Sequence, residues 1–286
     1  MKSVESINEI TKAMQMISTF RFKRAETRFS KIRSYLMELE TVLSNLAADA
    51  ARLKNTGEEG AGIQALFEAR PVTKKTLILM TGDKGLCGAY NANLLRMANN
   101  WRKQNASSET SFVAVGKVGA ESLRKRSYSI LASYPEKAIA DVAMAKQITE
   151  ELKRLYREKK TDSIELLYTT FKPGGTGGNK IIPFLPLGYL NKSEGEKTPA
   201  NVGYIYEPDF TTVFFTLVEK FLEGKIYLAL LESLTSEYSA RMMAMKQASE
   251  NGEEVLDELQ LLRNKTRQAT ITRELSEIVS GASVLV

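Results

Sequence analysis

The sequence predicts an α/β domain carried between two long helical arms, and three observations predict it. All seven prolines (71, 135, 173, 183, 186, 199 and 208) fall between residues 71 and 208, leaving proline-free arms of 70 and 78 residues. Proline inside a helix removes a hydrogen bond and collides with the preceding turn, so both arms are free to be continuous helix. Both arms carry apolar residues at alternating spacings of three and four, while the segment between them alternates short apolar runs with amphipathic stretches. The chain divides accordingly into residues 1–56, 71–208 and 209–286.

In the first arm Phe22, Ala25, Phe29, Ile32, Leu36, Leu39, Leu43, Leu46, Ala50 and Leu53 follow one another at steps of three and four, which is a coiled-coil seam. Upstream, Ile7, Ile10, Met14 and Ile17 keep the alternation, but the step of five from Ile17 to Phe22 predicts a rephased seam. Arg21, Arg24, Arg28 and Lys31 form a basic stripe beside it, within a first 35 residues that hold eight Lys/Arg and three Glu. Such a stripe is either a solvated face or a landing surface for an acidic protein. No aromatic platform or groove-reading motif accompanies it, so no nucleic-acid partner is expected.

In the middle segment residues 76–80 (TLILM), 111–115 (SFVAV) and 163–171 (SIELLYTTF) read as strands, and 91–102, 117–126 and 141–160 as helices. This alternation predicts a parallel or mostly parallel, Rossmann-like sheet with helices on its faces. The first strand-to-helix turn spaces Gly82, Gly85 and Gly88 as G-x-x-G-x-x-G, which is not the dinucleotide fingerprint, and no acidic residue ends the second strand to hold a ribose. The glycine cluster at 172–180 (KPGGTGGNK) lacks the Walker order and leads into extended chain, so it reads as a flexible surface turn. Asp83 and Lys84 could pair catalytically, but the chain contains no histidine. A solvated turn whose glycines supply unusual backbone angles is the simpler reading. With one cysteine, Cys87, there is no internal disulfide and no Cys/His pair. No catalytic residue, metal site or cofactor is expected.

The second arm repeats the helical design with Leu231, Leu234, Tyr238, Met242, Met245, Ser249, Gly252, Leu256 and Leu259, then Leu275, Ile278, Ala282 and Leu285 after a rephasing. Each helix should reach on the order of 75 to 80 Å. Met14, Met16, Met242, Met243 and Met245 are expected as soft buried packing. The longest apolar runs, such as 76–80 and 226–231, fall far short of the roughly 20 residues that span a bilayer. The opening MKSVESINEI carries no apolar signal region, and a cytoplasmic compartment is expected.

Particular segments then carry a resemblance. Residues 3–18 (SVESINEITKAMQMIS), 82–91 (GDKGLCGAYN) and 264–282 (NKTRQATITRELSEIVSGA) resemble, in order, the signature segments of the gamma subunit of F-type ATP synthases. Residues 236–259 are similar to that family's carboxyl-terminal helix, and the likeness runs end to end. It implies that the terminal helices form an antiparallel coiled coil inside a ring of alternating alpha and beta subunits. The α/β domain would project below and bind epsilon and the membrane rotor c-ring. ATP chemistry would belong to beta, so this chain would be a non-catalytic rotor on the cytoplasmic face of a bacterial plasma membrane, peripheral to it.

By the same resemblance Lys12, Met14 and Met16, with Arg267, Gln268 and Thr270, would lie where the shaft meets beta, and Arg21, Arg24 and Arg28 opposite an acidic segment of beta. Gly82, Asp83, Lys84, Gly85, Cys87 and Gly88 make up the signature turn. Three features depart from the family pattern. Family members usually carry further residues before the segment matching Ser3, Arg263 stands where tyrosine is common, and the two-cysteine insert of the chloroplast form is absent. Two other readings remain: a static coiled-coil tether or scaffold with an α/β head, and an α/β enzyme using the 82–88 turn.

Overall fold

At its two ends the chain forms α1 (Lys2–Ala47, 46 residues) and α5 (Phe210–Val284, 75 residues). At about 1.5 Å per residue these span roughly 70 and 110 Å, so the second helix is much longer than expected. The computed structural model describes residues 1–47, 65–67, 70–135, 141–172, 177–192 and 206–284. Leu36 lies against Gly224, Phe29 packs with Leu231, and Asn8 meets Gly252, so numbers fall along one helix as they rise along the other. The pair is an antiparallel coiled coil. Ala25, Phe29, Leu36, Leu39, Leu43 and Leu46 are buried in its seam, with Phe22 and Ile32 half-buried. Ala50, Leu53 and Leu285 lie outside the described residues, as does the side chain of Ala282.

The upper shaft corrects the seam read from sequence. Ile7, Ile10 and Ile17 are exposed, and the inward positions are Val4, Asn8, Thr11, Gln15 and Ser18. These continue the Phe22 register at steps of four and three, so no rephasing occurs. Searching for apolar residues selected the wrong stripe because this part of the seam is polar. Asn8 Oδ1 accepts from the Ser249 hydroxyl at 2.7 Å, and both residues are buried. On α5, Leu231, Leu234, Tyr238, Met245 and Ser249 are buried, while Met242, Gly252, Leu256 and Leu259 are half-buried. Leu275 and Ile278 are exposed, on the part of α5 that lies past the described residues of α1. The methionines are corrected too: Met245 is buried and Met14 and Met242 half-buried, but Met16 and Met243 are 72% and 59% exposed.

The head contains β1 (Lys74–Met80), α2 (Tyr90–Gln104), β2 (Glu109–Val115), α3 (Lys117–Lys125), β3 (Ile130–Tyr134), α4 (Val142–Arg157), β4 (Ser163–Thr169) and β5 (Asn179–Leu185), followed by a short 3-10 helix (Leu187–Lys192). The sheet order is β3-β2-β1-β4-β5. β1 to β4 are parallel and β5 runs antiparallel to β4. Strands buried on both faces read as continuous apolar runs, which is why β1 and β2 were evident in the sequence. Alternate residues of β1 divide the layers. Leu77 and Leu79 pack with Leu94, Ala98 and Trp101 of α2, whereas Ile78 and Met80 join Ile148, Leu152 and Tyr156 of α4 and the shaft. Trp101 meets Phe112 edge-on at 5.8 Å and its Nε1–H donates to Glu165.

The two edge strands, β3 and β5, are not marked by sequence pattern. β3 is half-buried throughout, and β5 contains Pro183, which cannot donate to a ladder and is tolerated at an edge. At the start of β1 and β4, Asp162 accepts from the backbone N–H of Thr73 (3.0 Å) and Lys74 (2.9 Å) and from the Thr73 hydroxyl (2.8 Å). Arg70 Nε lies 2.8 Å from its other oxygen. Burial opposes the Asp162 charge, but these bonds and the arginine outweigh it and hold the carboxyl at about 2.

Candidate functional site

Between residues 231 and 238 every side chain of α5 is buried. A helix buried all round has two partners. One face, Leu231, Leu234 and Tyr238, meets α1, and the other, Glu232, Ser233, Ser236, Glu237 and Arg241, meets the head. This second face is polar and keys into the carboxyl ends of β1 and β4. The Tyr90 hydroxyl donates to the Ser233 carbonyl at 2.9 Å and stands 2.7 Å from Ser233 Oγ, which itself lies 3.5 Å from the last carbonyl of β1, Met80. Ser236 Oγ donates to the carbonyls of Thr169 (3.3 Å) and Thr170 (3.1 Å), where β4 ends.

Just beyond β4, Phe171 is gripped by both helices. Its N–H donates to Glu232 Oε1 at 2.9 Å, and its ring sits edge-on to Phe22 and Phe29 at 5.6 and 5.7 Å. Burial pushes the Glu232 carboxyl up, against the hydrogen bonds from Phe171 and Tyr168 and the charge of Arg33. Farther down, Lys153 of α4, almost fully buried, bridges Glu150 (2.7 Å) and Glu219 of α5 (3.1 Å).

The signature turn is anchored rather than simply solvated, which corrects the sequence reading. Lys84, Gly85, Leu86 and Gly88 are exposed, but Gly82 and Cys87 are buried. Arg241 donates through Nε and Nη2 to the Gly85 carbonyl and through Nη2 to that of Lys84, each at 3.2 Å, and is ion-paired with Glu237 at 2.8 Å. Gly82 is needed for closeness: a Cβ there would lie 2.8 Å from the Glu237 carboxylate. Of the three glycines, Gly88 alone takes a positive φ (56°), and Leu86 takes the other left-handed position (60°). Asp83 Oδ1 accepts from the Lys117 N–H at 3.1 Å, which ties the turn to the start of α3, while the Lys84 backbone carbonyl is held by Arg241 of α5. Burial pushes the Cys87 thiol up, with Arg241 opposing, which leaves it a poor nucleophile.

In an open parallel sheet of this type, ligands bind in the crevice outside the carboxyl ends of the strands. Here Ser233 and Ser236 occupy the ends of β1 and β4, and Thr81 Oγ1 takes the Gly119 N–H at 2.8 Å in the first turn of α3. The head uses the fold's ligand crevice to hold the shaft.

The remaining sequence-selected residues lie along the shaft surface. Lys12 is ion-paired with Glu253 at 2.6 Å across the coiled coil, Arg21 stands 6.0 Å over the Tyr238 ring, and Arg24 and Arg28 are exposed. Arg267, Gln268 and Thr270 are exposed on the part of α5 beyond α1. From Glu253 to Arg267 the helix rises about 20 Å, so the two groups sit at different heights. Sequence reasoning missed Glu232, Ser233, Ser236, Glu237 and Arg241. Their signal was a polar stripe of helical period opposite the apolar seam.

This architecture defines a class: an antiparallel two-helix shaft of unlike strands, keyed to an α/β head. A family model for ATP synthase matches residues 1–285. The ATP synthase gamma chain of Cytophaga hutchinsonii is 36% identical, the match covering 99% of this chain and 95% of that one. That of Desulfitobacterium hafniense is 34% identical over 99% and 96%. The chain belongs to the ATP synthase gamma family. Among solved structures, the central stalk and c-ring of Tetrahymena thermophila mitochondrial ATP synthase contains a similar fold, with a TM-score of 0.59 at 23% identity over 84% of this chain and 99% of that one. A chain in the Euglena gracilis mitochondrial enzyme, in an assembly of OSCP, F1 and c-ring, has a TM-score of 0.56 at 15% identity, with 92% and 94% covered.

Proposed function

We propose that the chain is the central rotor stalk of an F-type ATP synthase, a non-catalytic subunit that couples ion-driven rotation of a membrane ring to ATP synthesis or hydrolysis elsewhere. The observation that carries this reading is the joint at Ser233, Ser236 and Arg241, which locks the head to a helix of 75 residues. Torque applied to the head passes to the tip without a hinge. A two-stranded shaft lacks threefold symmetry, so each angle offers different contacts to three otherwise identical catalytic subunits. Coupling between rotation and nucleotide affinity requires such differential contacts.

In this reading alpha and beta subunits surround the coiled coil. Lys12, Met14, Met16, Arg267, Gln268 and Thr270 meet beta at two heights, and Arg21, Arg24 and Arg28 face an acidic segment of it. Residues 1–56 and 209–286 are the shaft and 71–208 the head, which meets epsilon and the c-ring at the cytoplasmic face of a bacterial plasma membrane. No described helix is long and apolar enough to cross a membrane, in keeping with a peripheral place. A static tether is not favoured by the relatives.

The test is reconstitution with alpha and beta subunits, followed by ATP hydrolysis and ion pumping in resealed membranes. Arg267→Ala with Gln268→Ala should leave assembly intact and lower pumping per ATP hydrolysed. Failure to assemble, or unchanged coupling, removes the proposal.

A further inference from the structure

In a parallel sheet flanked by helices, the strands begin, and the helices end, along one edge. Here that edge is basic. α2 ends on Arg102 and Lys103, α3 on Arg124 and Lys125 with Arg126 beyond, and α4 on Arg157 with Lys159 and Lys160 beyond. Lys74 and Lys75 start β1. The strand starts are level, with Lys74 opposite Glu109 and Lys75 opposite Ser163, so these elements end along a common margin. Lys75 Nζ bonds Asn105 Oδ1 at 2.6 Å, and Arg102 covers the Tyr128 ring at 4.4 Å, which ties the helix ends together.

Ten Lys/Arg thus stand here against two exposed acids, Glu109 and Glu158, an excess greater than the +6 of the whole chain. Helix dipoles favour a base in each last turn, but Arg126, Lys159, Lys160 and the β1 lysines lie outside any helix.

The edge also has a direction. Opposite it, the turn at Gly85 grips α5 at Arg241, while near it Lys153 meets α5 at Glu219. The edge therefore lies toward the start of α5 and faces away from its tip. Beneath the shaft itself Glu207 and Asp209 precede α5, so the positive charge is carried by the head, off the axis.

We propose that this basic edge rests on anionic phospholipid headgroups. The inference builds on the stalk reading: with the tip among alpha and beta, the edge points at the membrane. Long flexible cations over a negatively charged leaflet gain attraction without fixed partners. Such a contact is fluid, so it steadies the head while leaving it free to turn. Nucleic acid fits less well, since Tyr128 is stacked on Phe112 at 5.5 Å and capped by Arg102 and offers no face to a base.

The experiment uses the complex of the full chain with alpha and beta subunits, sedimented with phosphatidylcholine vesicles with and without phosphatidylglycerol, at low salt and at about 0.15 M. Binding should need phosphatidylglycerol, weaken with salt, and fall at least about tenfold when Lys125→Glu, Arg126→Glu, Lys159→Glu and Lys160→Glu are combined. Lys117→Glu with Lys146→Glu, exposed near the starts of α3 and α4, should change it far less. ATP hydrolysis by each sample checks assembly. An assembled complex that ignores phosphatidylglycerol, responds equally to both sets of reversals, or is displaced as well by polyglutamate overturns the lipid contact and leaves the stalk standing. A chain that fails to assemble overturns both.

Discussion

Arg241 lies 2.8 Å from Glu237, one turn earlier on α5, and the same guanidinium holds the carbonyls of Lys84 and Gly85. Both side chains are almost fully buried. Arg241→Ala takes the ion-pair partner from the buried Glu237 and the guanidinium from the Gly85 carbonyl, and should cost about 3–5 kcal/mol in denaturant unfolding. The double change Glu237→Gln with Arg241→Met should cost clearly less than the sum of the single changes. Additive losses would mean that the two residues act separately.

Asp162 sets an acid limit on stability. Its carboxyl is held at about 2 in the folded chain against an ordinary 3.8, so the unfolded chain binds the proton first as pH falls. The contribution, about 2.5 kcal/mol, is complete above about pH 4 and disappears as pH falls toward 2. Denaturation midpoints across that window should drop in the parent and stay flatter in Asp162→Asn. Equal slopes would contradict the assignment.

The coiled coil should be cohesive in its middle and loose at its upper end. Phe29→Ala, in the aromatic grip around Phe171, should lower global stability by about 3–5 kcal/mol. Asn8→Ala breaks the bond to Ser249 and should speed amide exchange in the first turns of α1 while leaving global unfolding nearly unchanged. Mass-resolved hydrogen exchange separates the two, and a large global loss from Asn8→Ala would refute the gradient.

Much of this arrangement is legible in the residues. The absence of proline marks both long helices, and runs such as TLILM and SFVAV mark strands buried on both faces. Legibility fails wherever a side chain's partner is distant in sequence. Ile7, Ile10 and Ile17 satisfy a helical apolar pattern yet point outward, because the opposite helix offers Ser249 and Gly252 and selects Asn8 instead. Leu275 and Ile278 look like a continued seam, yet they are exposed among the described residues. The joint was hidden for a related reason. Ser233, Ser236 and Arg241 are ordinary surface residues by type, and their burial becomes visible only once β1 and β4 end against them.

That exposed pair gives a direct functional test. Leu275→Ser with Ile278→Ser should shift the stability of the isolated chain by no more than about 0.5 kcal/mol. In the reconstituted complex the same changes should lower turnover. Unaltered turnover would place the end of α5 outside the working contacts.

Trp101 is the chain's single tryptophan, and it lies in the head, edge-on to Phe112 with its indole N–H on Glu165. Intrinsic fluorescence therefore watches one part of the molecule, whereas far-ultraviolet circular dichroism is dominated by the two long helices. Melting followed by both signals asks whether axle and head come apart together, because coincident curves are the mark of one cooperative unit. The polypeptide carries its own reporter for the rigidity on which transmission depends, with no dye or label added.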